Sequence, residues 1–240
     1  MRSDEKQIRL GKNQTRQFGV NELASLGNAS LFQNIESQEL ISLLNCLQAT
    51  IKTYEKGNFI QREGETIDQI GVVIKGVIEI ISEDALGRKT ILTSIGRSGI
   101  FGEAIVTAQL EGSPVSVVAT QETVVCFLNY REIVTTCGNN CIFHTQLIQN
   151  MLGIMARKTL LLSKKLNYAL MKSIRDKITA YLLDEYSKKG KKTITIPYNR
   201  EELADYLSVD RSALSRELSK MKDDKLIQYR KNEFTLDFIT

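Results

Sequence analysis

The chain has 240 residues, of which 42% are hydrophobic and 25% are charged. This length is enough for two ordinary domains, and the composition excludes disordered and fibrous proteins. The net charge is only +4, so attraction to nucleic acid would have to come from cations placed close together. One such group consists of Lys188, Lys189, Lys191 and Lys192.

Membrane and export signals are missing from the sequence. No apolar stretch approaches the roughly 20 residues needed to span a bilayer, and the charged N-terminus lacks a signal-peptide core. We therefore expect a cytoplasmic protein with no membrane partner, in which the cysteines need not form disulfides. Residues 1–28 are polar and are predicted to be an N-terminal extension.

Short β-rich segments alternate with glycine-containing turns in the first half of the chain. The predicted strands are 59–60, 70–74, 77–81, 90–95, 114–119 and 123–128. Several short strands with turn signals at close intervals are typical of an all-β barrel or roll. Helical patterns occur only at the borders, at about 37–47 and 130–136. Residues 29–140 are therefore predicted to form a β-roll domain.

An apolar heptad pattern follows, on a helix predicted over 141–170. Its seam consists of Ile148, Leu152, Met155, Thr159, Leu162, Leu166 and Ala169. One apolar seam on so long a helix favours pairing with a second copy, so we expect a parallel homodimer. A second stripe, Leu147, Met151, Ile154 and Leu161, is expected to pack against the rest of the protomer. Alternatively, both stripes form one broad core-facing surface of a monomer.

Residues 199–225 have the pattern of two short helices joined by a tight turn. Asn199 suits an N-cap with Glu202 three residues later, which predicts a helix over about 200–207. Asp210 suits the cap of the second helix. The apolar residues have the spacing of two crossing helices that share one small core: Leu203, Ala204, Leu207, Val209, Leu214 and Leu218.

The second of these helices has a polar and basic outer face, formed by Arg211, Ser212, Ser215 and Arg216. Such a helix can lie in the DNA major groove, where an arginine pairs with guanine O6 and N7. A solvated helix face is the simpler interpretation. However, two alternating segments follow, 226–229 and 234–238, and predict a β-hairpin with which 193–196 could pair. Arg230 and Lys231 at its tip would lie near the phosphate backbone.

The order of these parts resembles the Crp/Fnr family of bacterial transcription regulators, over about residues 30–238. The motifs that carry the resemblance are the glycine-punctuated strands, Phe101-Gly102-Glu103, Met155-Ala156-Arg157 and Ser215-Arg216. It implies an α+β fold with an N-terminal β-roll of the cupin-like or jelly-roll type as the sensor domain. A dimerisation helix over 141–170 and a winged helix-turn-helix domain over 171–240 would follow. Effector binding at the roll would reposition the DNA-binding domains about a hinge near 167–169.

The resemblance also implies partners. Arg211 and Arg216 match the family positions that contact guanine, and Ser212 stands where many members have glutamate, so the preferred half-site should differ. Two symmetric copies would meet half-sites about one helical turn apart, roughly 34 Å. We therefore expect a palindromic operator on double-stranded DNA, with RNA polymerase as a further candidate partner.

The implied effector site departs from that of the cyclic-AMP-binding members. Their phosphate cassette opens with the pair matched by Gly102 and Glu103, but it closes with Arg-Ser where this chain has Ser113-Pro114. Serine cannot replace the charge-assisted fork of an arginine on phosphate. Cyclic AMP is therefore disfavoured, and the effector is an unknown small molecule. The residues that would bound its pocket are Gly102, Glu103, Ser113 and Ser116 on the roll and Arg157, Thr159, Leu162 and Ser163 on the helix.

The four cysteines, at positions 46, 126, 137 and 141, argue against an iron-sulfur sensor, whose family members carry an N-terminal cysteine cluster. Cys137, Cys141 and the only histidine, His144, could hold a metal as soft ligands. No fourth ligand is visible nearby, so no metal ligand is assigned. A metal or redox sensor that uses these three residues remains an alternative function.

An enzyme is not expected. No Ser/His/Asp set, phosphate loop or pair of carboxylates is visible, so no catalytic residue and no cofactor are assigned. A haem is disfavoured because His144 lies outside the predicted roll. A further alternative is a small-molecule-sensing regulator that acts on a protein partner through its terminal domain.

Overall fold

The computed structural model describes residues 18–84, 86–135 and 142–239. The chain divides into two units, Met1–Met155 and Ala156–Thr240, each with its own hydrophobic core. The division falls within the long helix α5, Ile142–Leu170. Among the described residues, no helix combines the length and the hydropathy that a bilayer crossing requires.

The N-terminal unit contains two four-stranded antiparallel sheets. Their strands are β1 Thr50–Tyr54, β2 Phe59–Gln61, β3 Gln69–Lys75, β4 Ile78–Glu83, β5 Lys89–Ile95, β6 Ile100–Phe101, β7 Ser116–Ala119 and β8 Thr123–Asn129. The strand orders are β1-β8-β3-β6 and β2-β7-β4-β5. The six predicted strands are confirmed with small shifts of their ends. The two strands that were not predicted are β6, which has only two residues, and β1, which is mostly exposed.

Helices cover one side of this roll. They are α1 Val20–Gly27, a 3₁₀ turn at Ser30–Phe32, α2 Ser37–Cys46, α3 Glu103–Thr107 and α4 Tyr130–Val134. The border helices were predicted, whereas α3 has five residues and is too short to display helical periodicity. Helix α1 lies within the segment predicted to be an extension, and its Leu26 is fully buried in the core.

The interior of the roll is filled by apolar side chains. The buried members are Val73, Ile78, Phe101, Val117, Val125 and Phe127. Phe101 and Phe127 meet edge to face, with their ring centroids 6.2 Å apart, a geometry that aromatic pairs prefer. The Phe101 ring also lies over Gly71, where a Cβ atom would approach it to 2.2 Å. The first residue of the Phe101-Gly102-Glu103 motif is thus a core anchor that requires glycine opposite it.

Helix α5 presents two different faces. Leu147, Met151 and Ile154 of the second predicted stripe are buried in the core of the N-terminal unit, as expected. Leu161, the fourth member of that stripe, is 47% exposed. On the heptad seam, Leu162 and Leu166 are exposed at 65% and 59%.

The C-terminal unit is a winged helix-turn-helix, which confirms the predicted domain type. Its elements are α6 Ile174–Lys189, β9 Thr193–Thr195, α7 Arg200–Leu207, α8 Arg211–Asp223, β10 Ile227–Arg230 and β11 Glu233–Leu236. The sheet order is β10-β11-β9. Asn199 caps α7 by accepting from the Glu202 N–H at 3.0 Å, and the Glu202 carboxylate accepts from the Asn199 N–H at 2.8 Å. The predicted capping box therefore fixes where α7 begins.

Candidate nucleic-acid interface and effector site

Helix α8 has one buried side and one exposed side. Leu214, Leu218 and Met221 are buried in the core of the C-terminal unit. The four residues of this helix that were predicted to contact DNA are all exposed, namely Arg211, Ser212, Ser215 and Arg216. The amphipathic pattern therefore orients a polar and basic surface away from the core. A helix that contacts bases in a DNA groove requires such a surface.

The N-terminus of α8 is organised by Asp210. Its carboxylate accepts from the backbone N–H of Ala213 at 2.9 Å and from the Ser212 hydroxyl. The Ser212 hydrogen bond, followed by that from Ala213 and by the Arg216 charge, holds the pKa of Asp210 below its usual range. While this bond is made, the Ser212 oxygen can accept a hydrogen bond from DNA but has no hydrogen to donate.

A cation on α6 fixes the orientation of α8. The Arg175 Nε atom lies 2.6 Å from a Glu217 carboxylate oxygen, and its Nη1 atom lies 2.8 Å from Asp224. The hydrogen bond to Glu217, then that to Asp224, raises the pKa of Arg175. Arg175 was missed from the sequence because Glu217 is 42 residues away, and an arginine near a helix start gives no signal of such a partner.

The wing carries the two predicted backbone-contacting cations, Arg230 and Lys231, and both are exposed. Lys231 turns the hairpin with a positive φ of 55°. Arg200 at the start of α7 holds the wing, because its guanidinium lies 4.7 Å from the Tyr229 ring centroid and 5.1 Å from that of Phe234. Burial lowers the pKa of Arg200. Arg200 therefore stabilises the wing through cation–π contacts, while the two tip cations face solvent.

The predicted effector cassette lies on the turn that includes α3. Gly102 caps this helix with a positive φ of 83°, and Glu103, which follows, is only 3% exposed. The Ser113 hydroxyl donates to the Val115 carbonyl at 2.7 Å, and the Ser116 hydroxyl accepts from the Glu63 N–H at 2.9 Å. Both serine hydroxyls therefore brace the local backbone.

Among the described residues of the N-terminal unit, the buried side chains include the acidic Glu103 and no lysine or arginine.

Sequence reasoning missed Gln61 on β2. It is 5% exposed, and its Nε2 atom is buried without a hydrogen-bond partner. Gln61 pairs in register with Val117, which faces the interior of the roll. Because paired residues share a face of a sheet, the amide lies on the inner side, where a ligand with an acceptor atom would satisfy it.

The helix residues predicted for the effector site, Arg157, Thr159, Leu162 and Ser163, are all exposed on the part of α5 that belongs to the C-terminal unit. Of the proposed metal ligands, Cys137 and Cys141 lie outside the described residues. His144 is 3% exposed near the start of α5. Within the described part of the chain, no cluster of three or more candidate metal ligands is found.

Two family models match the chain. Residues 51–140 match the cyclic nucleotide-binding domain, and residues 176–237 match the Crp-like helix-turn-helix domain. The first match covers most of the β-roll, and the second covers the region from α6 to the wing. Both were expected from the sequence motifs.

Curated relatives match over shorter segments. The probable transcriptional regulator flp of Lacticaseibacillus casei is 38% identical over 73 residues, which are 30% of this chain and 33% of the relative. The CRP-like cAMP-activated global transcriptional regulator of Mycobacterium tuberculosis is 32% identical over 78 residues, which are 32% of this chain and 34% of the relative. The chain thus matches about a third of the length of these relatives.

A solved structure supports the fold. The chain aligns with CprK complexed with OCPA at a TM-score of 0.57 and 18% identity, with 81% of this chain and 88% of that chain covered. At this identity the likeness shows the fold alone. The two family models confirm the resemblance drawn from the sequence motifs. The chain joins a cyclic nucleotide-binding domain to a Crp-like helix-turn-helix domain, which is the domain composition of the Crp/Fnr family of transcription regulators.

Proposed function

We propose that the chain is a homodimeric, sequence-specific DNA-binding transcription regulator that acts in the cytoplasm under the control of a small-molecule effector. The observation that carries this proposal is the surface of α8. Arg211 and Arg216 are exposed on a helix whose opposite side is buried in the winged domain. Each arginine would read a guanine edge through two hydrogen bonds, Ser212 would accept a hydrogen bond from a base, and Ser215 would add a base or phosphate contact.

The dimer is proposed from the α5 seam. Leu162 and Leu166 expose most of their side chains to solvent, and apolar residues at heptad spacing are buried when two such helices pair. A two-fold dimer would present two copies of α8 to a palindromic operator. The position of the operator relative to RNA polymerase would decide whether transcription is activated or repressed.

The effector is proposed to be a small molecule other than cyclic AMP. The Gln61 amide offers a hydrogen-bond donor on the inner side of the roll, and Glu103 is buried on the cassette turn. Ser113-Pro114 stands where an arginine would hold a cyclic phosphate. The name of the Mycobacterium tuberculosis relative records activation by cyclic AMP, and we propose that this chain does not share that response. Calorimetric titration of the chain with cyclic AMP should give no saturable heat. Saturable binding would contradict the proposal that the effector is not cyclic AMP.

The proposed DNA function is tested by selecting bound fragments from a randomised pool of duplex DNA at fixed salt. Three proteins are compared: the native chain, the Arg211→Ala, Arg216→Ala variant, and the Lys52→Ala, Lys56→Ala variant. The lysine variant is a matched control because it loses the same charge from exposed positions of the N-terminal unit.

The native chain and the lysine variant should enrich one two-fold symmetric site, and the arginine variant should not. Each arginine replacement should cost about 1 to 3 kcal/mol per half-site. If the arginine variant enriches the same site, Arg211 and Arg216 are not the residues that recognise the bases. If none of the three proteins enriches a site, even with cell extract as a source of effector, the winged domain would instead dock onto a protein.

A further inference from the structure

The hydroxyl of Ser212 on α8 has a defined hydrogen-bond direction. It donates to a carboxylate oxygen of Asp210 at 2.5 Å, a distance typical of a charge-assisted bond between a hydroxyl and a carboxylate. The same Asp210 oxygen accepts from the Ala213 N–H at 2.9 Å, so the carboxylate is held in place as the N-cap of α8. A serine hydroxyl has one hydrogen and two lone pairs. Once the hydrogen is engaged by Asp210, the Ser212 oxygen can only accept.

Asp210 keeps its negative charge at neutral pH. The hydrogen bond from Ser212, followed by that from Ala213, holds the pKa of Asp210 below its usual range, and the charge of Arg216 acts in the same direction. An ionised carboxylate can only accept hydrogen bonds. The charge of Asp210 therefore requires Ser212 to be the donor in their hydrogen bond. Both side chains are exposed, as contact with DNA requires.

A hydroxyl that can only accept distinguishes between the groups that DNA offers. Phosphate oxygens are acceptors, so this hydroxyl cannot hydrogen-bond to the DNA backbone. In the major groove, guanine presents the acceptors N7 and O6, and thymine presents the acceptor O4. The donors there are the amino groups at N4 of cytosine and at N6 of adenine. Ser212 can therefore bond to cytosine or adenine, but not to guanine or thymine.

Ser215 lies on the same exposed face and lacks this constraint. It accepts a hydrogen bond through its backbone oxygen, from the Ser219 hydroxyl at 3.1 Å. The Ser215 hydroxyl is not held by Asp210, so it can rotate either to donate or to accept, and it can meet any base or a phosphate. Ser212 and Ser215 are thus identical side chains with different expected selectivity, and the difference comes from Asp210.

We propose that Asp210 is a positioning residue that sets a base preference of the operator through Ser212. One base pair of each half-site, close to those met by Arg211 and Arg216, carries adenine or cytosine on the strand that Ser212 contacts. Guanine or thymine at that position places an acceptor opposite the Ser212 oxygen and is selected against. This inference rests on the proposed function, since it concerns the same face of α8. It adds the chemical class of the base and a residue that acts on specificity through its neighbour.

The test starts from the symmetric site that the native chain selects from randomised duplex DNA. Each position of the half-site is changed in turn to all four bases, and fluorescence anisotropy measures the affinity of the full chain for each operator. At one position the native chain should bind adenine or cytosine roughly three- to tenfold more tightly than guanine or thymine, the range for one neutral hydrogen bond. Ser212→Ala should lose the preference at that position alone. Ser212→Thr, which keeps a hydroxyl, and Ser215→Ala should both retain it.

Asp210→Gly tests the positioning role directly. Glycine is tolerated at an N-cap, so α8 is kept, but the Ser212 hydroxyl regains a hydrogen that it can donate. The affinity ratio between operators with adenine or cytosine and those with guanine or thymine should fall toward one, while the preference for the neighbouring guanines remains. A ratio is compared because removal of an anion close to DNA raises the affinity for every sequence alike.

The inference is overturned if Ser212→Ala changes the preference at no position of the half-site, or if the position that it changes prefers guanine or thymine in the native chain. An unchanged ratio in Asp210→Gly would overturn the role of Asp210. In each of these cases the native chain still selects a symmetric site, so the proposed function stands. If the native chain selects no site, even with cell extract present, the proposed function fails and the inference about Asp210 and Ser212 fails with it.

Discussion

The ammonium group of Lys177 on α6 lies 3.3 Å from the backbone oxygen of Leu207, the last residue of α7, and 3.5 Å from that of Ser208. The last carbonyls of a helix lack partners within the helix and carry its negative end. Ser208 follows with a positive φ of 53°, a conformation that costs any residue with a Cβ. A buried lysine from a third helix thus stabilises the turn between the two helices of the DNA-binding motif.

Replacing Lys177 with methionine should destabilise the C-terminal unit. Methionine keeps the apolar stem but leaves the two carbonyl oxygens without their donor, so we expect the free energy of unfolding to fall by about 1 to 3 kcal/mol. Denaturant unfolding followed by circular dichroism measures the change. Lys191→Met, at an exposed position, is the control and should leave stability unchanged. If the two variants have the same free energy of unfolding, the Lys177 contacts do not contribute to stability.

Replacing Arg175 with alanine should weaken specific DNA binding while the fold is kept. The variant loses the ion pairs to Glu217 and Asp224 that orient α8, but it loses no group that reaches DNA under the proposed interface. We expect a loss smaller than the roughly five- to hundredfold loss for a base-contacting arginine. Fluorescence anisotropy with the selected operator measures it.

Glu217→Gln provides the matched test for Arg175, because it removes the charge of the partner and leaves Arg175 in place. It should reproduce part of the loss of specific affinity, and affinity for unrelated DNA should be unchanged in both variants. A uniform loss on all sequences would instead identify Arg175 as a phosphate-contacting residue.

Asp184 links the end of α5 to α6 and should make the C-terminal unit acid-sensitive. Its carboxylate accepts from the Tyr168 hydroxyl at 2.6 Å and from the Lys164 ammonium at 2.9 Å. Burial alone would raise the pKa of Asp184, but these two hydrogen bonds outweigh it and hold the pKa below its usual range. A carboxylate whose pKa is lower in the folded state stabilises the fold at pH values above its unfolded-state pKa. This contribution is lost as the pH falls through the folded-state pKa.

Tyr168→Phe should therefore lower stability at neutral pH and make the loss of stability below about pH 4 shallower. Thermal unfolding at a series of pH values measures both effects. Tyr206→Phe is the control, since Tyr206 contacts the Tyr168 ring but its removal leaves both donors to Asp184 in place. Identical pH profiles for Tyr168→Phe and the native chain would rule out the Asp184 contribution.

Replacing Leu166 with lysine should dissociate the proposed dimer, because a charge in an apolar helix seam is costly to bury. Sedimentation equilibrium should shift from twice the chain mass to the chain mass at micromolar concentrations. Leu160→Lys is the matched control. Leu160 is 67% exposed against 59% for Leu166, but it lies outside the heptad seam, so this variant should remain dimeric. Dissociation of both variants would place the interface elsewhere.

The sequence by itself determined the order of the parts and the local structure of the DNA-binding motif. The Asn199 cap and the α8 face with Arg211 and Arg216 could be predicted because capping and helical periodicity depend on residues a few positions apart. Glycine-punctuated alternation likewise predicted most of the roll, but it missed the two-residue strand β6 and the short helix α3. Such short elements are stabilised by tertiary contacts and not by their own pattern.

Only the tertiary structure decided which distant side chains meet. The contacts of Arg175 with Glu217, of Lys177 with the end of α7, and of Cys46 with His144 join segments separated by 30 to 98 residues. None of these residues differs in its local sequence from an ordinary helix residue. The inward direction of Gln61 likewise depends on its register with Val117. Pairings of this kind are set by how helices and strands pack, and packing brings together residues whose separation along the chain carries no periodic signal.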